Sequence, residues 1–368
     1  MSTEFHLRAP APASSATPSA ARKAGGVAPL VSLIMPVRNE QAFIARSLGA
    51  VLAQDYPRER LEIWVADGMS SDATRSVVGN LMADDAATAG SSVGRIRLID
   101  NPEGIVPTAM NRAMRLARGD VVVRVDGHCE VPHDYVSRAV ELLGREGVDG
   151  VGGPVETLGS SYASRAISLA MSSAFGVGPG SFRTAQATDR EADTVPFPAY
   201  RREVIEAAGP YDEELVRNQD DEYNYRLRKL GFRLLLSPTL TSRYYGRSSF
   251  RGLARQYGGY GFWKVRVLQK HPRQMQLRQF APPLAVACFV ALLAAAPVSA
   301  AASVLLATLV AAYGAIASVA AARACGARRA RLWPGVVLAC ALMHGAYGAG
   351  FLTGLWRFRR RWPGREAR

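Results

Sequence analysis

The sequence predicts an α/β domain with a mixed, mainly parallel sheet flanked by helices, followed by transmembrane helices at the C-terminus. Three observations support this. Apolar strand-like runs alternate with helix-like segments in residues 30–245, a long uncharged tract begins at Phe280, and basic residues concentrate after Arg243. Alternation with continuous apolar strands is typical of a parallel sheet covered on both faces. A chain of 368 residues is long enough for both parts.

The elements of the first part follow one another in a regular order. The predicted strands, each a short apolar run, are 31–37, 61–67, 95–100 and 120–126. The predicted helices between them are 41–54, 72–81 and 108–117. Further on, residues 162–183 combine an amphipathic helix with a glycine-rich loop. Two placements remain open for that helix, on a membrane surface or in the protein core.

The C-terminal part contains apolar tracts long enough for a membrane. Phe280–Ala322 has no charged residue, and two spans of about 20 residues each fit into it. We predict a membrane region at 280–356, with spans at 283–301, 303–322 and, with a weaker pattern, 333–356. A buried soluble helix is the alternative, but such helices rarely stay uncharged for so long.

Basic clusters beside these tracts predict the orientation. The positive-inside rule places the start of the first span and the end of the second span in the cytoplasm. The domain before the first span is then also in the cytoplasm. A third full crossing would put the arginines at 357–361 on the opposite side. Either 333–356 is re-entrant or interfacial, which we favour, or the positive-inside rule does not hold for this segment.

Charge is distributed very unevenly. From Arg243 to Arg368 there are 19 Lys and Arg residues and one acid, Glu366, whereas residues 1–242 carry 26 basic and 30 acidic residues. Because the excess lies in the membrane part, it does not indicate a nucleic-acid partner. We predict a basic amphipathic segment at 246–279 that binds lipid headgroups, and a basic tail at 357–368. Residues 1–29 are rich in Pro, Ala and Ser, which predicts a disordered leader.

Polar residues follow three of the predicted strands, where sheets of this kind bind ligands. Neither a G-x-G-x-x-G motif nor a P-loop is present, so a diphosphate bound here would need a divalent cation. Asp126 is the candidate ligand. His128 would face the same side of an extended segment and add a nitrogen that suits Mn²⁺ better than Mg²⁺. The alternative is that Asp126 caps a turn and His128 is an ordinary surface residue.

Five segments in this order resemble family 2 glycosyltransferases of the GT-A fold, most closely the membrane-attached exopolysaccharide type. They are VSLIMPVRNE, VADGMSSDAT, NPEGIVPTAMNRAMRLARGD, VDGHCE and NQDDEYNYRLRKLGFRL, and the resemblance runs from Val31 to Tyr245. It implies a GT-A domain at 30–245 that binds a nucleotide-sugar donor, typically UDP-linked.

The resemblance also implies roles for individual residues. Pro36, Arg38 and Glu40 would line the nucleotide pocket, and Asp67 would accept from the uracil N–H. Asp126 would contact the donor and hold the divalent cation, Mn²⁺ or Mg²⁺. His128 stands where the family's D-x-D motif has a second carboxylate, and we predict that it is also a metal ligand. For Asp72 we expect a helix N-cap rather than a ligand contact.

A base for the acceptor hydroxyl is the other requirement of sugar transfer. The family places it in an E-D pair before an R-L-R-K-x-G segment, and counting back from Arg226 identifies Gln219-Asp220. The resemblance thus implies that Asp220 is the base, with Asp221 as the alternative. An acidic first helical turn would explain Asp221 and Glu222 without catalysis.

The implied function is inverting transfer of one sugar, glucose in β-linkage, to a polyprenyl-pyrophosphate-linked saccharide in exopolysaccharide biosynthesis. The implied location is the bacterial inner membrane, as a multi-pass protein with a cytoplasmic catalytic domain. Membrane lipids and other exopolysaccharide-assembly enzymes are the expected partners. A processive polysaccharide synthase is one alternative, but the R-W of the Q-x-x-R-W motif does not follow Gln256. A nucleotide-sugar-binding scaffold without turnover is the other, because His128 and Gln219 depart from the family pattern.

Overall fold

The structure is a computed structural model that describes residues 27–90, 94–178, 181–183, 187–246 and 249–362. Most of the predicted leader and the end of the predicted basic tail lie outside these residues. The strands are β1 (Val31–Val37), β2 (Leu61–Asp67), β3 (Ile96–Asp100), β4 (Val121–Arg124), β5 (Cys129–Glu130), β6 (Gly150–Gly152), β7 (Val155–Leu158), β8 (Arg190–Glu191), β9 (Ala199–Arg201), β10 (Leu234–Leu236) and β11 (Ser242–Tyr245). The α-helices are α1 (Ile44–Leu52), α2 (Thr74–Thr88), α3 (Val106–Leu116), α4 (Tyr135–Leu143), α5 (Tyr162–Met171), α6 (Ala174–Val177), α7 (Arg202–Ala208), α8 (Gln219–Lys229), α9 (Phe250–Lys270), α10 (Ala281–Ala295), α11 (Ala300–Cys325) and α12 (Trp333–Arg357).

The main sheet has eight strands in the order β3-β2-β1-β4-β9-β6-β10-β8. Strands β1 to β4 pair in parallel, whereas β9 is antiparallel to both β4 and β6. A second sheet has the order β5-β11-β7. The predicted mixed, mainly parallel sheet flanked by helices is confirmed.

Strand β1 is buried on both faces, which explains its continuous apolar sequence. Leu33 and Met35 pack into a core that includes Leu48 of α1, whereas Ile34 packs into a second core with Met110 of α3. Successive side chains of a strand point to opposite faces. The helices therefore cover the sheet on both sides, and its polar chemistry is confined to the strand ends.

Some predicted boundaries are wrong. Helix α2 continues to Thr88, beyond the predicted end at 81. The extension was missed because the last turns are rich in Ala and Asp and show no apolar stripe. Strand β4 ends at Arg124, not at 126. Residues 126–129 form a turn in which the Cys129 N–H donates to the Asp126 carbonyl at 3.1 Å. The expectation that Asp126 and His128 share one side of an extended segment is thus incorrect.

Three helices in the described part of the chain are long and apolar enough to cross a membrane: Leu277–Val298, Ala300–Cys325 and Ala327–Arg357. The first two are 6% and 11% buried in their most apolar windows, whereas the third is 39% buried. The third contains α12, an uninterrupted helix of about 38 Å at about 1.5 Å per residue. The prediction of a re-entrant turn at 333–356 is therefore wrong, whereas an interfacial placement of this helix stays a prediction.

Helix α12 packs closely along α9 through glycines. A Cβ atom built on Gly350 would lie 2.1 Å from the Gly258 carbonyl oxygen, and one on Gly261 would lie 2.0 Å from the Tyr347 carbonyl oxygen. Small residues allow two helix backbones to approach in this way. Helix α5 packs on α12 through Ala166 and other small side chains. Of the two placements left open for α5, it therefore has at least in part the one in the protein core.

Several cations of the predicted headgroup-binding segment face the catalytic domain instead. Lys264 forms an ion pair with Asp221, and Arg266 and Lys270 form ion pairs with Glu214. The basic character of α9 thus serves in part to attach this helix to the domain before it. Lipid binding by the rest of 246–279 stays a prediction.

Candidate active site

A cleft of about 370 Å³ opens where the parallel strands end. Its volume is in the range of sites that enclose small ligands, roughly 300–1,000 Å³. Strands β1 and β4 end side by side there, with the Val125 N–H donating to the Ile34 carbonyl at 3.0 Å. Six of the seven predicted site residues line this one cleft: Pro36, Arg38, Glu40, Asp126, His128 and Asp220.

Asp67, the seventh, lies beside the cleft and is fully buried. Its carboxylate accepts from the Ser70 N–H at 3.1 Å and from the Arg75 guanidinium at 2.8 Å. These bonds fix the loop after β2, whose Gly68 does line the cleft. A contact between Asp67 and a uracil stays a prediction.

The loops after β1 and β2 hold each other in a specific conformation. Asn39 and Met69 have positive φ angles of 55° and 57°, a backbone region that costs non-glycine residues free energy and that clusters at functional sites. The Asn39 side chain accepts from the Ser71 N–H at 2.9 Å, and the Asn39 N–H donates to Ser70 Oγ at 2.8 Å. These hydrogen bonds fasten the two loops of the cleft wall to each other.

Asp72 has a structural role close to the expected one. Its carboxylate accepts from the Thr74 N–H at 3.0 Å and from the Gln41 N–H at 3.2 Å. Because α2 begins at Thr74 with Ala73 as the N-cap residue, Asp72 lies one position before the N-cap. It therefore stabilises the start of α2 and ties it to the loop after β1.

Arg124 lines the cleft and binds the predicted metal ligand Asp126, and no role was predicted for it from the sequence. It is 8% exposed, and its Nε donates to Asp126 Oδ1 at 2.8 Å while Nη2 donates to Oδ2 at 3.2 Å. Although burial lowers the pKa of Arg124, the charges of Asp126 and Asp220 raise it, and the net shift is upward. The signal in the sequence was an arginine ending a buried valine run, since a buried guanidinium needs a carboxylate partner.

His128 is fixed by contacts on two sides. Its Nδ1 lies 2.7 Å from Oε1 of Glu40, and the ring packs edge-on against Tyr244 with centroids 4.9 Å apart. Its Nε2 has no hydrogen-bond partner among the described residues. A metal-binding histidine usually donates its other ring N–H to a carboxylate, and Glu40 is in place to accept it.

These residues fit a divalent cation that is also held by substrate phosphates. The described residues contain no group of three or more His, Cys, Asp or Glu side chains placed to hold a metal alone. A cation that binds together with a diphosphate commonly takes only one or two protein ligands. Asp126 keeps acceptor capacity beyond its bonds to Arg124, and His128 keeps Nε2.

The three acids at the start of α8 have different surroundings. Asp221 pairs with Lys264, which is only 3% exposed. Glu222 is 2% exposed and accepts from the Arg226 Nε at 2.8 Å, with His271 Nε2 at 3.0 Å. Asp220 accepts only the Asp221 N–H, at 2.9 Å, and has no side-chain hydrogen-bond partner among the described residues. Asp220 is thus the acid of this turn that is open to a substrate.

The pKa of Asp220 is raised above the ordinary aspartate value. The main cause is desolvation by the protein atoms crowded around the cleft, although the side chain itself opens to solvent. Asp221 and Asp126 also raise the pKa by like-charge repulsion, and Arg124 opposes them. A raised pKa makes this carboxylate a better proton acceptor than a free aspartate.

Helix α9 supplies a wall of the cleft that the sequence did not predict. Gln256 and Tyr260 line the cleft, and the Gln256 amide donates to the Tyr260 hydroxyl at 2.8 Å. Asn218, with a φ of 61°, donates from Nδ2 to the Tyr260 carbonyl at 2.8 Å. The signal was Gln256 itself, at the position of the incomplete Q-x-x-R-W motif.

Comparisons with known proteins agree with this geometry. The sequence profile described as Glycosyl transferase family 2 matches residues 32–207. The succinoglycan biosynthesis protein ExoA of Rhizobium meliloti is 33% identical over 89% of this chain and 96% of its own length. A dolichyl N-acetyl-alpha-D-glucosaminyl phosphate 3-beta-D-2,3-diacetamido-2,3-dideoxy-beta-D-glucuronosyltransferase of Methanococcus voltae is 28% identical over 65% of this chain and 74% of its own length.

A solved structure has the same fold. It is the mannosyltransferase PcManGT of Pyrobaculum calidifontis, in complex with GDP-Man and Mn²⁺, with a TM-score of 0.56 and 24% identity over 90% of this chain and 88% of its own. The sheet and its flanking helices are therefore those of the GT-A fold. This chain belongs to glycosyltransferase family 2 and is a glycosyltransferase.

Proposed function

We propose that this protein is an inverting glycosyltransferase that adds one sugar to a lipid-linked saccharide in exopolysaccharide biosynthesis. The donor is UDP-linked, the sugar is glucose transferred in β-linkage, and the acceptor is carried on a polyprenyl pyrophosphate. The protein is a multi-pass protein of the bacterial inner membrane with its catalytic domain in the cytoplasm.

One observation carries the catalytic part of this proposal. Asp126, two residues after β4, and Asp220, at the start of α8, line the same cleft together with Arg38 and Glu40 of the predicted nucleotide pocket. One-step displacement at a sugar needs a donor site and a base within one enclosed space. Asp220 is the available base because Asp221 and Glu222 are held by cations.

The reaction then follows from the positions of these groups. The acceptor hydroxyl attacks the anomeric carbon of the donor sugar, and Asp220 takes the hydroxyl proton as the new C–O bond forms. The bond between the anomeric carbon and the diphosphate oxygen breaks, and the nucleoside diphosphate leaves from the opposite face. A single displacement inverts the anomeric centre.

A divalent cation, Mn²⁺ or Mg²⁺, would be held by Asp126 and His128. When bound, it would neutralise charge on the diphosphate. The structural relative in complex with GDP-Man and Mn²⁺ supports such a cation and a nucleotide-sugar donor. Arg124 holds Asp126 in place through two hydrogen bonds, and Glu40 orients the His128 ring.

The acceptor class is supported by the relatives and by the chain itself. The relative from Rhizobium meliloti is named for succinoglycan biosynthesis, and the one from Methanococcus voltae for transfer to a dolichyl-linked sugar phosphate. The cleft wall on α9 packs directly on α12, which follows two helices long and apolar enough to cross a membrane. A lipid-borne acceptor would thus reach the cleft from the side of these helices.

The decisive experiment is a transfer assay on membranes that contain the protein. Radiolabelled nucleotide-sugars are supplied one at a time, with Mn²⁺, with Mg²⁺ or with a chelator, and the lipid extract is analysed. We expect label in the lipid fraction from UDP-glucose only, dependent on the cation, and none with Asp220→Asn. Labelling from another donor would overturn the assigned sugar.

The same assay, together with a complementation test, separates the two alternative functions. A processive synthase would give a ladder of long products instead of one added sugar. A scaffold would bind the donor but label no lipid, and Asp220→Asn would still complement a polymer-deficient strain. Either result would overturn single-sugar transfer.

A further inference from the structure

Four arginines of the described residues line the cleft, and three of them have partners in the protein. Arg38 donates to the Gly104 carbonyl at 3.1 Å, Arg124 binds Asp126, and Arg183 donates to the Thr157 hydroxyl at 3.1 Å. Arg217 lines the same cleft, but no hydrogen bond or ion pair joins it to any residue that the structure describes. Among the described residues, no protein acceptor therefore uses the N–H donors of this guanidinium.

The position of Arg217 is set by helix α9. A Cβ atom built on Gly259 would lie 3.2 Å from both Cδ and Nε of Arg217, so the arm of the arginine lies across this glycine. The next residue, Asn218, is bonded to the Tyr260 carbonyl of the same helix turn at 2.8 Å. The segment before α8 is thus attached to α9 at two successive residues.

This attachment places Arg217 on the catalytic side of the cleft. It precedes Asp220 by three residues, and both line the cleft. Of the acids close to it in the chain, Glu214 and Asp221 are already paired with cations of α9, and no ion pair joins Arg217 to Asp220 among the described residues. A guanidinium that lines the same cleft as the proposed base, and that has no ion-pair partner among the described residues, is suited to a negatively charged group of a substrate.

We propose that Arg217 binds a phosphate group of the substrates, either the diphosphate of the nucleotide-sugar or the pyrophosphate that carries the lipid acceptor. This rests on the proposed function. The planar guanidinium forms paired, charge-assisted hydrogen bonds to phosphate oxygens. Gly259 leaves the space in which the arginine arm lies, so this glycine is part of the same site.

The test compares Arg217→Gln, Arg217→Lys and the control Arg115→Gln in the full-length protein. Arg115 is an exposed arginine on α3 that does not line the cleft. We expect Arg217→Gln to raise the KM of one substrate by roughly 10- to 100-fold, the loss typical of a charge-assisted contact. Arg217→Lys should recover part of this loss because it retains the charge, and Arg115→Gln should behave as the wild type.

The two substrates are titrated separately to identify the phosphate. A raised KM for the nucleotide-sugar assigns Arg217 to the donor diphosphate, and a raised KM for the lipid acceptor assigns it to the acceptor pyrophosphate. Unchanged KM values for both substrates would overturn the proposal. So would a loss of kcat alone, since a purely structural role would lower the active fraction without changing KM.

Two further measurements make the result of this test unambiguous. Gly259→Ala places a methyl group against the arginine arm while favouring the helix, so it should raise the same KM as Arg217→Gln, but less.

Inorganic pyrophosphate is also titrated into the purified protein, and Arg217→Gln should bind it more weakly. If the wild type transfers no sugar, the proposed function fails, whereas this titration still decides the role of Arg217. Equal pyrophosphate binding by wild type and Arg217→Gln would then overturn it.

Discussion

Nδ1 of His128 lies 2.7 Å from Oε1 of Glu40, so a carboxylate from the loop after β1 orients the imidazole that follows β4. The two residues are 88 positions apart in the chain and meet only because β1 and β4 are neighbouring parallel strands. The sequence predicts a separate role for each, one at the nucleotide and one at the metal. Their contact couples the two roles.

This contact predicts the effect of Glu40 on the cation. We expect Glu40→Ala to raise the Mn²⁺ concentration for half-maximal transfer by about 10- to 100-fold, as for other carboxylates that orient a metal-binding histidine. Glu40→Gln keeps an oxygen acceptor and should have a smaller effect. Glu141→Ala, at an exposed position on α4, is the control. A variant with a higher donor KM but an unchanged Mn²⁺ requirement would show that Glu40 serves the nucleotide alone.

The adjacent acids of α8 predict opposite outcomes for two similar substitutions. Asp220→Asn should keep donor binding but lower turnover by about 10²- to 10⁴-fold, because it removes the proton acceptor. Asp221→Asn should keep turnover at low temperature but lower the free energy of unfolding by about 3 kcal/mol, because it leaves the buried Lys264 ammonium unpaired. Equilibrium donor binding, single-turnover transfer and denaturant unfolding measure the three quantities. A donor that no longer binds Asp220→Asn would show that Asp220 is a binding residue and not the base.

The raised pKa of Asp220 predicts both a rate profile and a stability change. Activity requires the ionised base, so the acidic limb of kcat/KM against pH should lie above the ordinary aspartate pKa of about 3.9. Because the folded protein binds this proton more tightly than the unfolded chain, the group stabilises the fold as pH falls through the folded-state pKa, and it opposes folding at neutral pH. Asp220→Asn should therefore melt at the same or a higher temperature than the wild type at pH 7. A lower melting temperature would contradict the raised pKa.

The sequence predicted those features that depend on local pattern. Strands β1 and β2 have the predicted bounds because their apolar residues form short runs; β1 is buried on both faces, and β2 is partly exposed only at Glu62 and Trp64. Asp126 and Asp220 line one cleft. Both were identified from motifs that occur in the order typical of one family. The turn at 126–129 was missed because the apolar run continues through Val125, one residue beyond the end of β4.

Features that depend on distant partners were not predictable in this way. The basic residues of α9 suggested a lipid surface because nothing near them in the sequence is acidic. Their partners include Asp221 and Glu214, 43 and 52 residues away from Lys264 and Arg266. For the same reason the position of Gln256 and Tyr260 in the cleft wall required the fold, although the incomplete Q-x-x-R-W motif had drawn attention to Gln256.

The glycines between α9 and α12 allow a last prediction, about how the catalytic cleft is supported. Gly350→Ala would place a methyl group against the Gly258 carbonyl, which is backbone and cannot rotate away, so the helices must separate. We expect a loss of about 1–3 kcal/mol in the free energy of unfolding, measured on the full-length protein in detergent. Gly345 lies on the same helix, and a Cβ atom built there would have no neighbour within 4 Å among the described residues, so Gly345→Ala should be neutral or slightly stabilising. Because α9 carries Gln256 and Tyr260, Gly350→Ala should also lower transfer at temperatures where the protein is still folded. Equal stability and equal activity of the two variants would show that α12 does not support the cleft through α9.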